Sequence, residues 1–201
     1  HPLYNYAYIT DAVEGLILVN VNTLQDQEPR NNFFTRALTW NENGILTGAR
    51  NLAIAGTRFY VLADAGIVEL DMDDPLHPRL VAVIPIRDPR SAVVHFRYLF
   101  VSDGAGMDVV DITNPDKPVI VPTAHVPLAD PHKIFVARTY AYVADGRDGL
   151  AIIDVEKPEH PAIAQMYNAG GAMNDARDVV IAATNASSFA YVADGVNGLK
   201  V

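Results

Sequence analysis

The segment AYVADGRDGLAIIDV, residues 141–155, shows the structural unit from which this chain is built. Two runs rich in Val, Ile, Leu, Ala and Tyr flank the polar sequence DGRDG. Apolar runs separated by Asp and Gly are typical of a β-hairpin, and they lack the 3.6-residue periodicity of an amphipathic helix. The segment therefore predicts two antiparallel strands joined by a tight turn.

The same hairpin pattern occurs five times along the chain. The other four copies are AYITDAVEGLILVNV (7–21), FYVLADAGIVELDM (59–72), LFVSDGAGMDVVDI (99–112) and AYVADGVNGLKV (190–201). The aromatic residues near their starts are spaced by 52, 40, 42 and 49 residues, at Tyr8, Tyr60, Phe100, Tyr142 and Tyr191. This period fits either a propeller blade or a pair of helices, and the strand chemistry of the hairpin favours the blade.

Two further strands flank the hairpin in most copies. With the strands called a, b, c and d in chain order, strand a is predicted at 49–56, 89–96, 131–138 and 176–183, and strand d at 78–86, 118–126 and 161–167. A D-x-x-x-P-x-x-P pattern joins c to d, starting at Asp71, Asp111 and Asp154. We expect these aspartates to bind turn amides and the prolines to fix the turn.

The fold class predicted from this pattern is all-β, a β-propeller of four-stranded antiparallel blades present as an incomplete set. Residues 1–201 form a single domain or a fragment of one, with approximate blades at 1–38, 49–86, 89–126, 131–167 and 176–201. The first blade is expected to hold strands b, c and d and the last strands a, b and c, so both are partial and both contain b and c. Because they cannot complete one another, we expect the polypeptide to continue at both ends or another chain to complete the ring.

The composition disfavours or excludes several classes of function. With 15 Lys and Arg against 24 Asp and Glu, the formal charge is -9, which would repel a phosphate backbone, so no nucleic-acid partner is expected. The absence of cysteine excludes disulfides, thiolate zinc sites and cysteine nucleophiles within this sequence. No apolar run is long enough for a membrane span. No cofactor is expected, apart from weak calcium candidates.

The strand c cores LILVN (16–20), MDVVD (107–111) and LAIID (150–154) resemble the LVIVD repeat, which names a family of bacterial and archaeal surface-associated propeller proteins. The resemblance covers nearly the whole chain. It implies an extracellular, cell-surface or periplasmic location, and it supplies no shared catalytic residues. Two copies depart from the pattern, since Asn20 replaces the strand c aspartate and Ala63 replaces the hairpin aspartate.

Aligned copies place four polar side chains at the start of strand a: Arg50, Arg90, His132 and Arg177. Strand a is the innermost strand of a blade, so these residues would ring the mouth of the central channel. They either pair with neighbouring hairpin aspartates to close contacts between blades or converge on an anionic ligand. The hairpin residues Asp103, Asp145 and Asp194 lie on the same face and are the weak calcium candidates.

The longest irregular segment is 22–48, and residues 168–178 form a second one. Since the blades differ little elsewhere, we expect specificity to reside in these insertions. The interface candidates are Phe33, Phe34 and the only tryptophan, Trp40. An alternative is that these aromatic side chains are buried as a plug against the blade.

The leading functional hypothesis is a non-catalytic propeller that acts as a protein-binding or assembly scaffold. The expected partner is another protein or further parts of the same chain. One alternative is a propeller enzyme of hydrolase or lyase type with an anion or metal site at the channel mouth. Another alternative is a docking subunit for an electron-transfer protein.

Overall fold

A computed structural model describes residues 2–22, 30, 33–183 and 187–201. This part of the chain contains five antiparallel sheets, short 3-10 turns and no α-helix. No helix within it is long and apolar enough to cross a membrane. The chain divides after Arg87 into two compact units.

The first unit contains two sheets in meander order. Blade 1 has three strands, which correspond to b, c and d: β1 (Tyr6–Asp11), β2 (Gly15–Asn20) and β3 (Thr35–Trp40). Blade 2 has all four strands: β4 (Asn51–Ala55), β5 (Arg58–Ala63), β6 (Gly66–Asp71) and β7 (Arg79–Ile84). Their facing apolar side chains form a core that includes Leu16, Leu18, Phe59, Val68 and Leu70.

The second unit contains three sheets. Blade 3 consists of β8 (Ser91–His95), β9 (Tyr98–Ser102), β10 (Gly106–Asp111), β11 (Val119–Ile120) and β12 (Val126–Pro127). Blade 4 consists of β13 (Ile134–Ala137), β14 (Tyr140–Ala144), β15 (Leu150–Asp154) and β16 (Ala162–Tyr167). Blade 5 has strands a, b and c as β17 (Asp178–Ala183), β18 (Ser188–Ala193) and β19 (Leu199–Lys200).

Two hydrophobic cores of the second unit lie between adjacent blades. Phe100, Met107 and Val109 of blade 3 pack with Ile134 and Val143 of blade 4. A second cluster joins blade 4 to blade 5 through Ala144, Leu150, Met173, Val179 and Val192. Face-to-face packing of meander sheets is the arrangement predicted from the repeats, and it brings the loops before successive a strands close together.

Strand d, the outer strand, differs in two ways from the prediction. In blade 1, where a strand d was expected but not located, β3 lies inside the segment 22–48, which had been predicted to be irregular. In blade 3, the single strand predicted over 118–126 is two short strands, both paired with β10. Pro122 lies in the turn between them, where the Ala124 N–H donates to the Val121 carbonyl at 3.1 Å. Because proline has no N–H, it cannot continue the pairing with β10.

The pairing of strands c and d is irregular at the same place in three blades. A β-bulge falls between Leu18 and Val19 in blade 1, between Glu69 and Leu70 in blade 2, and between Ile152 and Ile153 in blade 4. A bulge leaves one residue unpaired and increases the local twist of the strand. The repeat therefore specifies a bent outer strand.

The aspartates that end strand c bind turn amides, as the sequence predicts. Asp71, Asp111 and Asp154 each accept a hydrogen bond from the amide two residues later, at 3.0, 2.8 and 2.9 Å. In blade 1, the departure from the pattern is conservative, because Asn20 Oδ1 accepts from the Asn22 amide at 2.9 Å. These side chains stabilise the turn.

Candidate functional site

A short motif precedes strand a in all three blades of the second unit. It consists of Asp, any residue, and then Arg or His. The third side chain turns back onto the first, with separations of 3.1, 3.1 and 2.6 Å. We call these six residues the loop cluster: Asp88 and Arg90, Asp130 and His132, Asp175 and Arg177.

Arg90 connects blade 3 to the loop before blade 4. Its Nη1 donates to Asp130 Oδ1 at 2.8 Å and to the Pro131 carbonyl oxygen at 2.9 Å. Its Nε donates to Asp88 within its own loop. A guanidinium with several donors in a fixed plane can hold two loops in register in this way.

The next link joins blade 4 to blade 5 through His132. The ring Nε2 lies 3.1 Å from Asp130 Oδ2 and 2.7 Å from Arg177 Nη1. It carries a hydrogen when it donates to the carboxylate, and it is unprotonated when it accepts from the guanidinium. Arg177 Nη1 also lies 3.9 Å from Asp130 Oδ2. Asp130 is thus the anion around which three of the predicted residues, Arg90, His132 and Arg177, come together.

Two buried hairpin aspartates fix the loops of this cluster by accepting hydrogen bonds from their backbone amides. Asp145 Oδ1 accepts from the Asp130 amide at 2.7 Å, and its Oδ2 accepts from the Ala129 amide at 3.4 Å. Asp194 Oδ1 accepts from the amides of Asn174 and Asp175 at 3.1 and 2.7 Å. These aspartates are 1% and 0% exposed, so they are part of the interior and fix the backbone that carries Asp130 and Asp175.

The third hairpin aspartate of this set, Asp103, has a different role. Its Oδ1 accepts from Ala105 and Gly106 within its own hairpin, at 2.7 and 2.8 Å. The three calcium candidates, Asp103, Asp145 and Asp194, therefore lie one in each blade and bind backbone amides. Within the described ranges, no group of three acidic or histidine side chains is arranged to hold a metal ion.

The surroundings of Asp103, Asp130 and Asp145 shift the pKa values of their carboxyl groups in different directions. Burial raises the pKa of Asp145, and it outweighs the hydrogen bonds from Asp130 and Ala129. Burial also raises the pKa of Asp103, with a further contribution from the neighbouring Asp108 carboxylate. Burial would likewise raise the pKa of Asp130, but hydrogen bonds from Arg90 and His132 outweigh it and lower that pKa. Asp130 is therefore the carboxylate held in its charged form.

The loop cluster neutralises its own charge. Three carboxylates face two guanidinium groups and one imidazole, so the summed formal charge lies between −1 and 0 as His132 is neutral or protonated. Such a balance gives no excess positive charge to attract an external anion. The arrangement is suited to holding three successive blades in register.

Arg50, in the first unit, shows a reciprocal version of the same motif. Position 48 is glycine rather than aspartate, and Arg50 Nε donates to the Gly48 carbonyl oxygen at 3.0 Å. The carboxylate partner comes instead from the hairpin residue Asp64, which forms an ion pair with Arg50. A Cβ placed on Gly48 would lie 2.2 Å from Asp64 Oδ1.

In blades 3 to 5 the two residue types are exchanged. There the loop supplies Asp88, Asp130 or Asp175, and the facing hairpin residue is Gly104, Gly146 or Gly195. A Cβ on these glycines would lie 2.8, 2.7 and 1.9 Å from the corresponding aspartate Oδ2. In blades 2 to 5, one carboxylate therefore fills the space between the loop before strand a and the hairpin, and it comes either from the loop or from the hairpin. The departure at Ala63 is thus compensated by Asp64 and Gly48 together, which the repeat pattern alone does not reveal.

The aromatic candidates lie in two different environments. Phe33 and Phe34 are 69% and 63% exposed. Trp40 ends strand β3 opposite Leu16 and packs against the core of the first unit. Phe33 and Phe34 are therefore largely exposed to solvent, whereas Trp40 is partly a core residue.

A contact between blades on the opposite side of the sheets was not predicted. The Tyr98 hydroxyl of blade 3 donates to the Glu159 carboxylate of blade 4, and Thr123 Oγ1 donates to the Glu159 carbonyl oxygen at 2.7 Å. The sequence gives no distinctive signal for it, because the equivalent position between the paired prolines holds an acidic residue in two of the three c to d turns, Asp116 and Glu159.

We expect Arg90→Ala to reduce stability without changing anion affinity. The free energy of unfolding should fall by about 1 kcal/mol, since the Arg90 contacts are charge-assisted but partly exposed to solvent. Affinity for phosphate or acetate, measured by calorimetry, should match that of the parent. The exposed Arg147→Ala is the control and should stay within about 0.5 kcal/mol of the parent. Loss of measurable anion binding in Arg90→Ala alone would instead assign a ligand site.

Comparison with solved structures identifies the architecture. A protein from Lactobacillus plantarum matches with a TM-score of 0.66 at 14% identity, over 94% of this chain and 58% of its own. A functionally unknown protein from Desulfotomaculum acetoxidans matches with a TM-score of 0.66 at 11% identity, over 98% of this chain and 65% of its own. A computationally designed protein matches with a TM-score of 0.64 at 9% identity, over 97% of this chain and 54% of its own.

This chain therefore spans between about half and two thirds of the length of these structures. At these identities the likeness concerns the fold alone, and it confirms the predicted all-β class of four-stranded propeller blades. A comparison with curated proteins gives no significant match.

The family is shown by the sequence itself. The LVIVD repeat matches three segments, 87–124, 130–169 and 175–201, which together cover just over half of the chain. These segments coincide with blades 3, 4 and 5, whose loops carry the Asp-x-Arg or Asp-x-His motif. The chain thus belongs to the LVIVD-repeat family, as its strand c cores predicted.

Proposed function

We propose that this chain is a non-catalytic propeller scaffold that binds another protein, or further parts of its own polypeptide, at the cell surface or in the periplasm. The observation that carries the proposal is the internal pairing of the loop cluster. Its arginines and histidine bind carboxylates of the chain itself, and those carboxylates are fixed by buried hairpin aspartates. Polar groups engaged in this way support the stacking of blades rather than the turnover of a substrate.

The surface that we assign to the partner includes Phe33 and Phe34. Two adjacent, largely exposed phenylalanines at the start of an outer strand supply apolar area that the first unit does not bury. Aromatic anchors of this kind dominate the binding energy of many protein interfaces. The insertion that carries them is also where blade 1 departs most from the repeat.

A photo-crosslinking experiment tests this proposal. A benzophenone amino acid at position 34 should give a crosslinked product of discrete mass in cells of the source organism, and the Phe33→Ser change should diminish it. The same probe at the exposed Val13 is the matched control and should give no such product. Equal crosslinking at both positions, or none at position 34, would contradict the assignment.

The proposed location is tested separately. The family resemblance suggests a surface or periplasmic protein, so a protease added to intact or outer-permeabilised cells should degrade this chain. Protection until the cytoplasmic membrane is disrupted would refute the location and leave the binding surface open to test in vitro.

A further inference from the structure

The turns between strands a and b require a left-handed residue at their first position. In blade 2 this residue is Gly56, with φ of 61°. In blades 3 and 4 the same position holds Phe96 and Arg138, with φ of 53° and 56°. Glycine adopts this conformation without steric cost, whereas residues with a Cβ adopt it at a cost. Two blades therefore carry side chains that the turn itself disfavours.

Phe96 is not compensated by burial. Its side chain is 89% exposed, and its ring meets the His95 ring edge-on, with a centroid distance of 4.5 Å. An aromatic ring left in water forgoes the gain that burial would give it. Phe96 thus carries a conformational cost and a solvation cost. Residues held in disfavoured backbone conformations without structural compensation are candidates for function.

Phe96 and Arg138 line the same cavity, although they belong to different blades. The cavity has a volume of about 280 Å³ and lies within the second unit. Its apolar wall includes Tyr98, Phe100 and Val155. Because the a to b turns of neighbouring blades lie side by side, the fold brings these two residues to one cavity.

The charged groups of the cavity differ in their availability. Arg97 lies over the Tyr98 ring at 5.3 Å, and its Nη2 donates to the Tyr98 hydroxyl at 3.3 Å. Arg138 is exposed, and among the described residues its guanidinium forms no hydrogen bond or ion pair. Glu156 is the carboxylate on the cavity wall. Arg138 is thus a cation on the wall of a cavity that an exposed aromatic ring also lines, with its donors available to a ligand.

We propose that this cavity binds a short segment of a partner protein that presents an aromatic or aliphatic side chain next to a single carboxylate. Phe96 packs against the apolar side chain, and Arg138 pairs with the carboxylate through two parallel N–H donors. The inference rests on the proposed function, since it assumes that a protein is the ligand.

The charge of the chain disfavours a ligand with several carboxylates. Glu156 faces the same cavity, and the formal charge of -9 repels a polyacidic segment at long range. A segment with one carboxylate gains the pairing with Arg138 and avoids most of that repulsion. The specificity is therefore for an isolated acidic residue in apolar surroundings.

The direct test is a titration of the isotope-labelled chain with the capped tripeptide acetyl-Phe-Asp-Phe-amide, followed by amide chemical shifts. We expect shifts at residues 95–98, 138–139 and 155–156, and about tenfold weaker binding of acetyl-Phe-Asn-Phe-amide, which lacks the charge. No shifts at these positions, or equal binding of the two peptides, would overturn the proposal.

Two glycine substitutions separate binding from folding. Phe96→Gly and Arg138→Gly restore the residue type that the turn prefers, so the melting temperature should equal or exceed that of the parent while tripeptide affinity falls about tenfold. Gly56→Ala is the matched control and should lower the melting temperature with affinity unchanged. A lower melting temperature with retained affinity in Phe96→Gly would show that Phe96 is structural.

The outcome is distinguishable from a failure of the proposed function. Phe33→Ser with Phe34→Ser should leave the tripeptide titration unchanged, because those residues lie in the first unit. Crosslinking at position 34 without tripeptide binding would retain the scaffold and overturn this cavity as its ligand site. Tripeptide binding without crosslinking at position 34 would retain this cavity as a ligand site and contradict the partner surface assigned to Phe33 and Phe34.

Discussion

Replacing the buried Asp145 by alanine is expected to lower the free energy of unfolding by about 2 kcal/mol, because the change leaves two partly buried amides without their acceptor. The Asp130 amide loses its 2.7 Å partner, and the Ala129 amide loses a longer contact of 3.4 Å. The loop that carries Asp130 would then lose its support, and the pairing of blade 3 with blade 4 would weaken with it. Urea denaturation, followed by far-ultraviolet circular dichroism, measures the change in the free energy of unfolding.

The pH dependence of Asp145→Asn provides the control for charge. Burial raises the pKa of Asp145 in the folded state, so its contribution to stability is present below the unfolded pKa of about 4 and is lost as pH rises through the folded pKa. Asparagine keeps an acceptor oxygen and cannot ionise. The stability of Asp145→Asn relative to the parent should therefore increase between about pH 4 and pH 7. A difference that is constant with pH would contradict the assigned shift.

Gly48→Asp should be strongly destabilising, and adding Asp64→Gly should recover most of the loss. The single change places a second carboxylate in the space that Asp64 occupies, where even a Cβ would lie 2.2 Å from Asp64 Oδ1. We expect a loss of about 2 kcal/mol from steric conflict and charge repulsion, since the Asp64 side chain is 63% exposed and can move aside in part. The double variant recreates the arrangement of blade 3, in which Asp88 faces Gly104.

The backbone supports the exchange. Gly48 has φ of 77°, and Asp88 already adopts a left-handed φ of 52° at the equivalent position. In the double variant Arg50 would pair with the new aspartate as Arg90 pairs with Asp88. A double-mutant cycle in chemical denaturation should therefore give a coupling energy above about 1 kcal/mol. Additive losses would show that the two sites do not share one space.

Most of the fold could be predicted because the same pattern of strands and turns recurs in each copy of the repeat. The Asp that ends strand c and the alternation of apolar runs recur with the same local chemistry, so each copy supports the assignment of the others. Strand d was less certain, since its pairing depends on the partner strand. Nothing local showed that Pro122 divides that strand in blade 3, or that β3 follows a long insertion in blade 1.

The candidate site was predicted in position but not in connectivity. Sequence alignment brought Arg90, His132 and Arg177 to equivalent places, and the structure joins them through Asp130. The expected partners were the hairpin aspartates, whereas the observed partners come from the adjacent loops. The difference arises because the hairpin residues Asp145 and Asp194 are buried and bind backbone, which depends on depth in the fold rather than on spacing in the sequence.

The irregular outer strands have a consequence for how this protein behaves at high concentration. An exposed edge of a regular sheet can template the addition of another chain and begin aggregation. Here the bulges in blades 1, 2 and 4 and the proline break in blade 3 interrupt every outer strand d that the structure describes. A second molecule cannot keep register along such an edge for more than a few residues, so the repeat carries its own protection against fibre formation.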